Sequence, residues 1–274
     1  MSQMIANGEK LALLRGAQRV WAISSVHGEA ERLRALHEAI SRQFQPGDRL
    51  VYLGNILGHG PDVTDAVDEV LAFRRAVISA HGMFAADVVV LRGAQEEMWQ
   101  KLLQLQLALN SGEVFDWMME QGVGATLKSY GGDVSAGRVA ARSGAAMCAR
   151  WTASLRDQIH GRSGHTQLMS ALRRAAVNLS PDGQPQLLFV NAGIDPQRPL
   201  EAQKDSFWWP PDQLETMEGP YGEYARIVAG YDRQMRGVTE TPFTVSVDAG
   251  AGRGGALLAT CVESTGALVK TLEA

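Results

Sequence analysis

Two cysteines, Cys148 and Cys261, are all that 274 residues contain. A single disulfide could not staple a chain of this length, so the fold must rest on a packed core, and the scarcity fits a reducing compartment. No apolar run approaches the roughly 18 residues that a membrane span requires. The opening stretch, Met1 to Lys10, lacks both the basic start and the apolar core of a secretory signal. A cytoplasmic protein without membrane insertion is therefore expected. Surplus positive charge is lacking too: 26 Lys and Arg face 30 Asp and Glu, for a net charge of −4. That excludes nucleic-acid binding driven by bulk charge. Internal repeats and long linkers are also missing. What remains is a globular composition, 45% hydrophobic and 20% charged, sufficient for one large α/β domain or two small ones.

Short β-branched and aromatic runs predict strands at 19–26, 49–53 and 87–91. Between them, apolar residues at helical spacing predict helices over 29–44 (Leu33, Leu36, Ala39, Ile40) and 62–80 (Val67, Val70, Leu71, Phe73, Ala76, Val77). The order β-α-β-α-β is that of a sheet with crossover helices. The middle of the chain reads as helical over 96–109, 114–121, 147–160 and 166–176. The Gly-, Ala- and Ser-rich stretch 130–145 reads as a loop. Strands return at 187–190, 227–228, 243–247 and 256–262. The simplest organisation is an extension over 1–18 and one domain over 19–274, with a helical insert at about 96–180.

In open α/β sheets, ligands sit at the carboxyl ends of the strands. Here those ends carry Gly-containing turns: Ser24-Ser25-Val26-His27-Gly28, then Gly54-Asn55-Ile56-Leu57-Gly58-His59-Gly60-Pro61-Asp62, then Arg92-Gly93-Ala94-Gln95-Glu96, and later Asn191-Ala192-Gly193. The set and its order resemble the calcineurin-like metallophosphoesterases, in the branch of the bacterial serine/threonine protein phosphatases and diadenosine tetraphosphatase-like enzymes. That family's turns read GDxHG, GDxxDRG, GNHE, HAG and a final GH. Flanking text fits as well, in GDRLVYLGNILGHGPD, VVVLRGAQEEM, GATLKSYGG and LFVNAGIDPQRPL. The resemblance runs from about Val20 to the C-terminus. It implies a four-layer α-β-β-α sandwich with two mixed sheets face to face.

The resemblance also implies a dinuclear site of two divalent metals, such as Mn or an Fe/Zn pair. Such a pair clamps a phosphoryl group and supplies the attacking hydroxide. It needs anionic oxygens and neutral imidazoles to neutralise and hold two dications. Transferred position by position, the first motif's ligand Asp falls on Ser25 and its His on His27. The bridging Asp falls on Asn55, and the later Asp and Arg of that motif on Gly58 and His59. The third motif's ligand Asn and catalytic His fall on Ala94 and Gln95. The remaining ligand histidines fall on Asn191 and Tyr231. Only His27 matches. Ala94 has no ligating atom, Gln95 is no general acid near neutral pH, and both carboxylates are replaced. The expectation is a pseudophosphatase without bound metal or catalytic residues. It would act by binding a protein partner or a phospho-ligand in a pocket of Ser25, His27, Asn55, His59, Arg92, Gln95, Asn191 and Tyr231. The alternative is an active phosphoesterase, of protein phosphatase or nucleotide pyrophosphatase type, with a site rebuilt from Asp62, Glu96 or Asp232.

Several features stay open at the level of sequence. His27 is a remaining ligand or a satisfied turn residue. His59 is a phosphate contact or a surface histidine. Arg92 contacts an anion or holds a strand end. The stripe from Met98 to Met119 is core or a partner-binding face. Phe207-Trp208-Trp209-Pro210-Pro211 is an exposed anchor or a cover over the degenerate site. The Gly-rich run 250–255 matches G-x-G-x-x-G by letters, but a strand follows it and not a helix, which removes the pyrophosphate-binding reading. His160 and His165 sit in a loop without companion ligands, and His37 and His81 carry no motif.

Overall fold

Strand β2 (Arg19–Ile23) sends Val20 and Ala22 to one side and Trp21 and Ile23 to the other, all of them buried. Residues that are apolar on both faces mark a strand covered from both sides. The same alternation recurs in β3 (Arg49–Tyr52) and β4 (Val88–Val90). These three run parallel, and antiparallel β10 (Leu258–Glu263) and β11 (Leu268–Glu273) complete a sheet of order β11-β10-β2-β3-β4. A second sheet has the order β1-β5-β6-β7-β9-β8, from strands β1 (Leu11–Arg15), β5 (Ala175–Leu179), β6 (Pro185–Val190), β7 (Arg226–Ala229), β9 (Thr244–Asp248) and β8 (Gly237–Glu240). The structure is a computed structural model that describes residues 11–80 and 82–274. His81 and the opening stretch Met1 to Lys10 lie outside the described residues.

The two sheets face each other. Val20, Val51 and Val89 of one interdigitate with Ala176, Phe189, Val228 and Val247 of the other. Outside the five-stranded sheet lie α1 (Ala30–Ser41) and α2 (Val63–Ile78), the crossovers between β2, β3 and β4. Helix α1 buries Ala30, Leu33, Leu36, His37 and Ile40, a single stripe at helical spacing. Six further helices separate β4 from β5: α3 (Ala94–Leu102), α4 (Ser111–Glu120), α5 (Val123–Ser129), α6 (Val134–Arg142), α7 (Ala145–His160) and α8 (His165–Ala171). They extend the same core cluster. The outer face of the six-stranded sheet is covered by Phe207, Trp208, Leu214, Tyr221 and Tyr224, carried on short 3-10 turns and irregular chain. This is the expected four-layer sandwich, with a thin fourth layer.

Four differences from the sequence reading have physical causes. Leu11–Arg15, read as part of an extension, is β1 and pairs in parallel with β5. Strands β1, β8 and β11 are all at sheet edges, where one-sided exposure weakens the alternation on which sequence reading depends. The stretch 130–145, read as a loop, contains α6, capped by Asp133 accepting the N–H of Ala136 at 2.7 Å. Its small residues serve close packing: a Cβ on Gly137 would sit 2.8 Å from the Phe115 ring. The helix expected over 166–176 stops at Ala171, and Ala175–Leu179 is the fully buried β5. The helix expected to reach Leu109 ends at Leu102, followed by a 3-10 turn at Leu105–Leu107.

Of the Met98–Met119 stripe, Met98, Trp99, Leu102, Leu105, Phe115 and Met118 are core, while Leu107, Leu109 and Trp117 are exposed. Cys148 and Cys261 are free and buried. Burial raises both thiols, that of Cys261 to about 11, as befits unreactive structural cysteines. Among the described residues, no helix is long and apolar enough to cross a membrane.

Candidate functional site

The turns after β2, β3, β4, β6 and β7 meet at one end of the sandwich and are held by hydrogen bonds between the motif positions themselves. Ser25 Oγ donates to the Gly230 carbonyl at 2.7 Å and accepts from Asn55 Nδ2 at 3.1 Å. Asn55 Oδ1 accepts the backbone N–H of Gln95 at 3.0 Å. Asn191 Nδ2 donates to the Leu53 carbonyl at 2.7 Å. The backbone follows the same plan, with the N–H groups of Val26 and His27 both bonded to the Asn55 carbonyl. Ser25, Asn55 and Asn191 are thus fully buried joints between turns.

Holding the turns this closely strains the chain. His27, Asn55 and His59 adopt positive φ angles of 51°, 53° and 40°, a region that non-glycine residues visit rarely and at a cost. Gly93 meets a different demand: a Cβ there would lie 2.6 Å from the Asn55 backbone nitrogen and overlap its side chain. Such backbone persists only where the surroundings over-determine it, and here Glu96 does so. Its buried carboxylate accepts the N–H groups of Asn55 (2.8 Å), Leu57 (3.0 Å) and Gly93 (2.8 Å). Burial raises its pKa while those three donors lower it, and the net shift is upward. Sequence reading treated Glu96 only as a spare oxygen ligand. Its spacing three residues after Gly93 is the helix-capping pattern that identifies the role.

A cleft of about 740 Å³ opens over these turns. His27, Asn55, His59, Ala94, Gln95 and Tyr231 all line it. Ser25, Gly58 and Asn191 sit beneath or beside it. Gly58 packs against the Gln95 side chain, and its N–H bonds Thr126 Oγ1 at 2.9 Å. Arg92 is not brought into the cleft. Its guanidinium pairs with Glu97 at 2.9 Å and with Gln100, and its N–H bonds the Arg173 carbonyl, so the pocket expected from sequence loses its arginine. Trp208, Trp209, Pro210 and Pro211 form a wall of the cleft. Trp208 is buried and Trp209 exposed, with Lys101 over the Trp209 ring at 5.3 Å.

The His27 and His59 rings stand edge to face, with centroids 4.8 Å apart. Burial, His59 and nearby Arg253 together push His27 down to about 3, so it is neutral at physiological pH. His59 is lowered by burial and by Arg253. Arg253, which sequence reading passed over, also lies 5.3 Å from the Tyr231 ring centroid and 3.5 Å from Asp248. Its position depends on the hairpin after β9.

These residues do not fit a dinuclear metal centre. The expected ligand positions supply one imidazole, a hydroxyl and two amides committed to other partners, a methyl group and a phenol. Glu96 is taken by three backbone N–H groups. Asp232 holds Arg236 at 2.7 Å and the N–H groups of Gln234 and Arg236; burial opposes but does not prevent a lowered pKa. Asp62 is exposed at the start of α2. Among the described residues, no three His, Cys, Asp or Glu side chains gather as metal ligands.

The fold, two mixed sheets face to face with strand-end turns at one end, is consistent with a sandwich of the metallophosphoesterase type. Solved structures share it. A provisionally assigned diadenosine tetraphosphatase is 19% identical, with 97% of this chain and 98% of that one covered and a TM-score of 0.58. The cold-active protein-tyrosine phosphatase of a psychrophilic Shewanella species is 16% identical, over 96% and 82%, with a TM-score of 0.53. A hypothetical protein from Pyrococcus horikoshii OT3 is 16% identical, over 93% and 87%, with a TM-score of 0.51. No family model and no curated protein sequence matches the chain.

Proposed function

We propose that this protein is a pseudophosphatase, a non-catalytic member of the metallophosphoesterase fold that acts by binding a protein partner or ligand at the cleft over its degenerate centre. The observation that carries this reading is the Asn55 amide, which donates to Ser25 and accepts from Gln95. A metal-bridging carboxylate would have to release those contacts and turn charged oxygens toward two ions. Neutral side chains at 25, 55 and 191 are instead spent on joining the turns. A phosphoryl ligand would find Arg92 engaged elsewhere, which leaves turn N–H groups and rim charges to hold it. A cytoplasmic setting belongs to this reading and is supported by two free, buried thiols.

The alternative, an active phosphoesterase with a rebuilt site, requires free carboxylates beside His27. Glu96 and Asp232 are already committed, so no observation favours it.

The deciding test is metal content joined to activity. The protein is purified without chelator, offered Mn²⁺, Fe²⁺ and Zn²⁺, desalted, and its metal counted by plasma mass spectrometry. Less than a tenth or so of an ion per chain and no hydrolysis of an aryl phosphate is the expected result. One or two tightly held ions lost in His27→Ala, with Mn²⁺-dependent hydrolysis, would overturn the reading.

A further inference from the structure

The floor of the cleft presents acceptors without donors. His27 Nε2 and Gln95 Oε1 are buried and have no hydrogen-bond partner, and both side chains line the cleft. The far end of each side chain fixes its polarity. His27 Nδ1 lies 3.2 Å from the Leu57 carbonyl, which only accepts, so the proton of the neutral ring is on Nδ1 and Nε2 carries a lone pair. Gln95 Nε2 donates to the Gln121 carbonyl at 2.7 Å, which leaves Oε1 as the acceptor. His59 links the two, its ring beside His27 and its Nε2 at 3.4 Å from Gln95 Nε2. Above this floor stand Met98, Trp208 and Tyr231, and the buried Trp208 Nε1–H is a donor without a partner. At the rim, the carboxylates of Glu215 and Asp232 are paired with Arg236, and Asp212 and Arg233 also line the cleft.

A phosphate ester brings oxygen lone pairs to the lone pairs of His27 Nε2 and Gln95 Oε1, finds a single unpaired donor at Trp208 Nε1, and adds a full charge beside the rim carboxylates. A ligand that donates from an uncharged planar group meets both demands, because buried acceptors gain partners and no charge is desolvated. We infer that the cleft is a receptor for an uncharged aromatic carboxamide, whose NH₂ donates to His27 Nε2 and Gln95 Oε1 while its ring lies between the Trp208 and Tyr231 walls. This rests on the non-catalytic reading above and assigns that site its ligand chemistry.

The test is calorimetric titration of metal-stripped protein with benzamide and nicotinamide, against N,N-dimethylbenzamide, benzoate and inorganic phosphate. Both primary amides are expected to bind, and the dimethyl compound and benzoate to bind about tenfold more weakly or worse, since each leaves the acceptors unpaired. Gln95→Met should weaken benzamide by a similar factor, with its thermal transition recorded to establish folding. If that variant does not fold, the comparison of benzamide with its dimethyl analogue on the native protein still decides. Equal binding of those two, tighter binding of phosphate, or no binding of either primary amide up to its solubility would overturn the inference. Metal uptake with hydrolysis would instead refute the pseudophosphatase reading, and metal-free protein that ignores amides would refute only the ligand assignment.

Discussion

Asn55 reaches Gln95 across the gap between two strand-end turns, its Oδ1 3.0 Å from the Gln95 backbone nitrogen. The same amide donates to Ser25 at 3.1 Å, so one neutral side chain ties three turns together. The pairing needs both a donor and an acceptor on residue 55, which an amide has and a carboxylate lacks.

Asn55→Asp therefore destabilises the protein, although it restores the residue type of the resembled family. The new charge is buried, faces Ser25 without a donor from its own side, and costs roughly 1–3 kcal/mol. Urea unfolding with and without Mn²⁺ measures this. Recovery of stability on adding metal would show that the pocket still coordinates an ion.

Glu96→Gln tests the bracket on the strained turns. A carboxylate accepts three backbone N–H groups here, whereas a carboxamide turns its NH₂ toward at least one of them. A loss of roughly 2 kcal/mol is expected. Amide hydrogen exchange should localise the loosening to residues around 54–58 and 93. A neutral result would mean that the turns hold their shape without the carboxylate.

Gly93→Ala and Gly16→Ala separate steric contact from backbone conformation. Gly93 has no room, because a Cβ would meet Asn55, and overpacking of this kind costs about 1–3 kcal/mol. Gly16 has a φ of 61° but nothing within 4 Å, so alanine there costs only about 1 kcal/mol of left-handed strain. Thermal unfolding should rank Gly93→Ala as the less stable.

Stability should fall as pH drops below about 6.5, the unfolded histidine value. His27 is held down to about 3 by burial, by His59 and by Arg253. Between those limits the unfolded chain takes up a proton that the folded one refuses, so acid favours unfolding, with a limiting slope near 1.4 kcal/mol per pH unit. His37 and His59 are also lowered and act in the same sense. Glu96 and Asp248, raised by burial, act in the opposite one. His27→Asn, which tolerates the positive φ, should flatten the profile between pH 6.5 and 5. An unchanged profile would assign the acid sensitivity to the other histidines.

Strands β2, β3 and β4 were legible because burial on both faces writes itself as short β-branched or aromatic runs, as in Val88–Val90, which keeps that signal even at a sheet edge. Strands β1, β8 and β11 were not, since their partly exposed residues remove that signal. Helix α6 was hidden for another reason: Gly137 and its small neighbours read as loop, yet their smallness lets α6 lie close to Phe115 and Trp151. At the site, the order of glycine turns was readable, and so were the residue types standing at the expected ligand positions. Whether Trp208–Pro211 cover the site and whether Arg92 reaches an anion stayed open in the sequence, because each depends on contacts that only the folded chain makes.

The sequence alone determined the chemistry offered at the strand ends: neutral Ser25, Asn55 and Asn191, a methyl at Ala94, and a single matching histidine at position 27. No packing arrangement adds a carboxylate to those side chains. Only the tertiary structure decided how those groups are used. It set the Asn55 amide between Ser25 and Gln95, gave Glu96 three backbone donors, and left His27 Nε2 and Gln95 Oε1 as bare acceptors at a cleft. Hydrogen-bond polarity is inherited from neighbours in space, and those neighbours here are up to 205 residues apart along the chain.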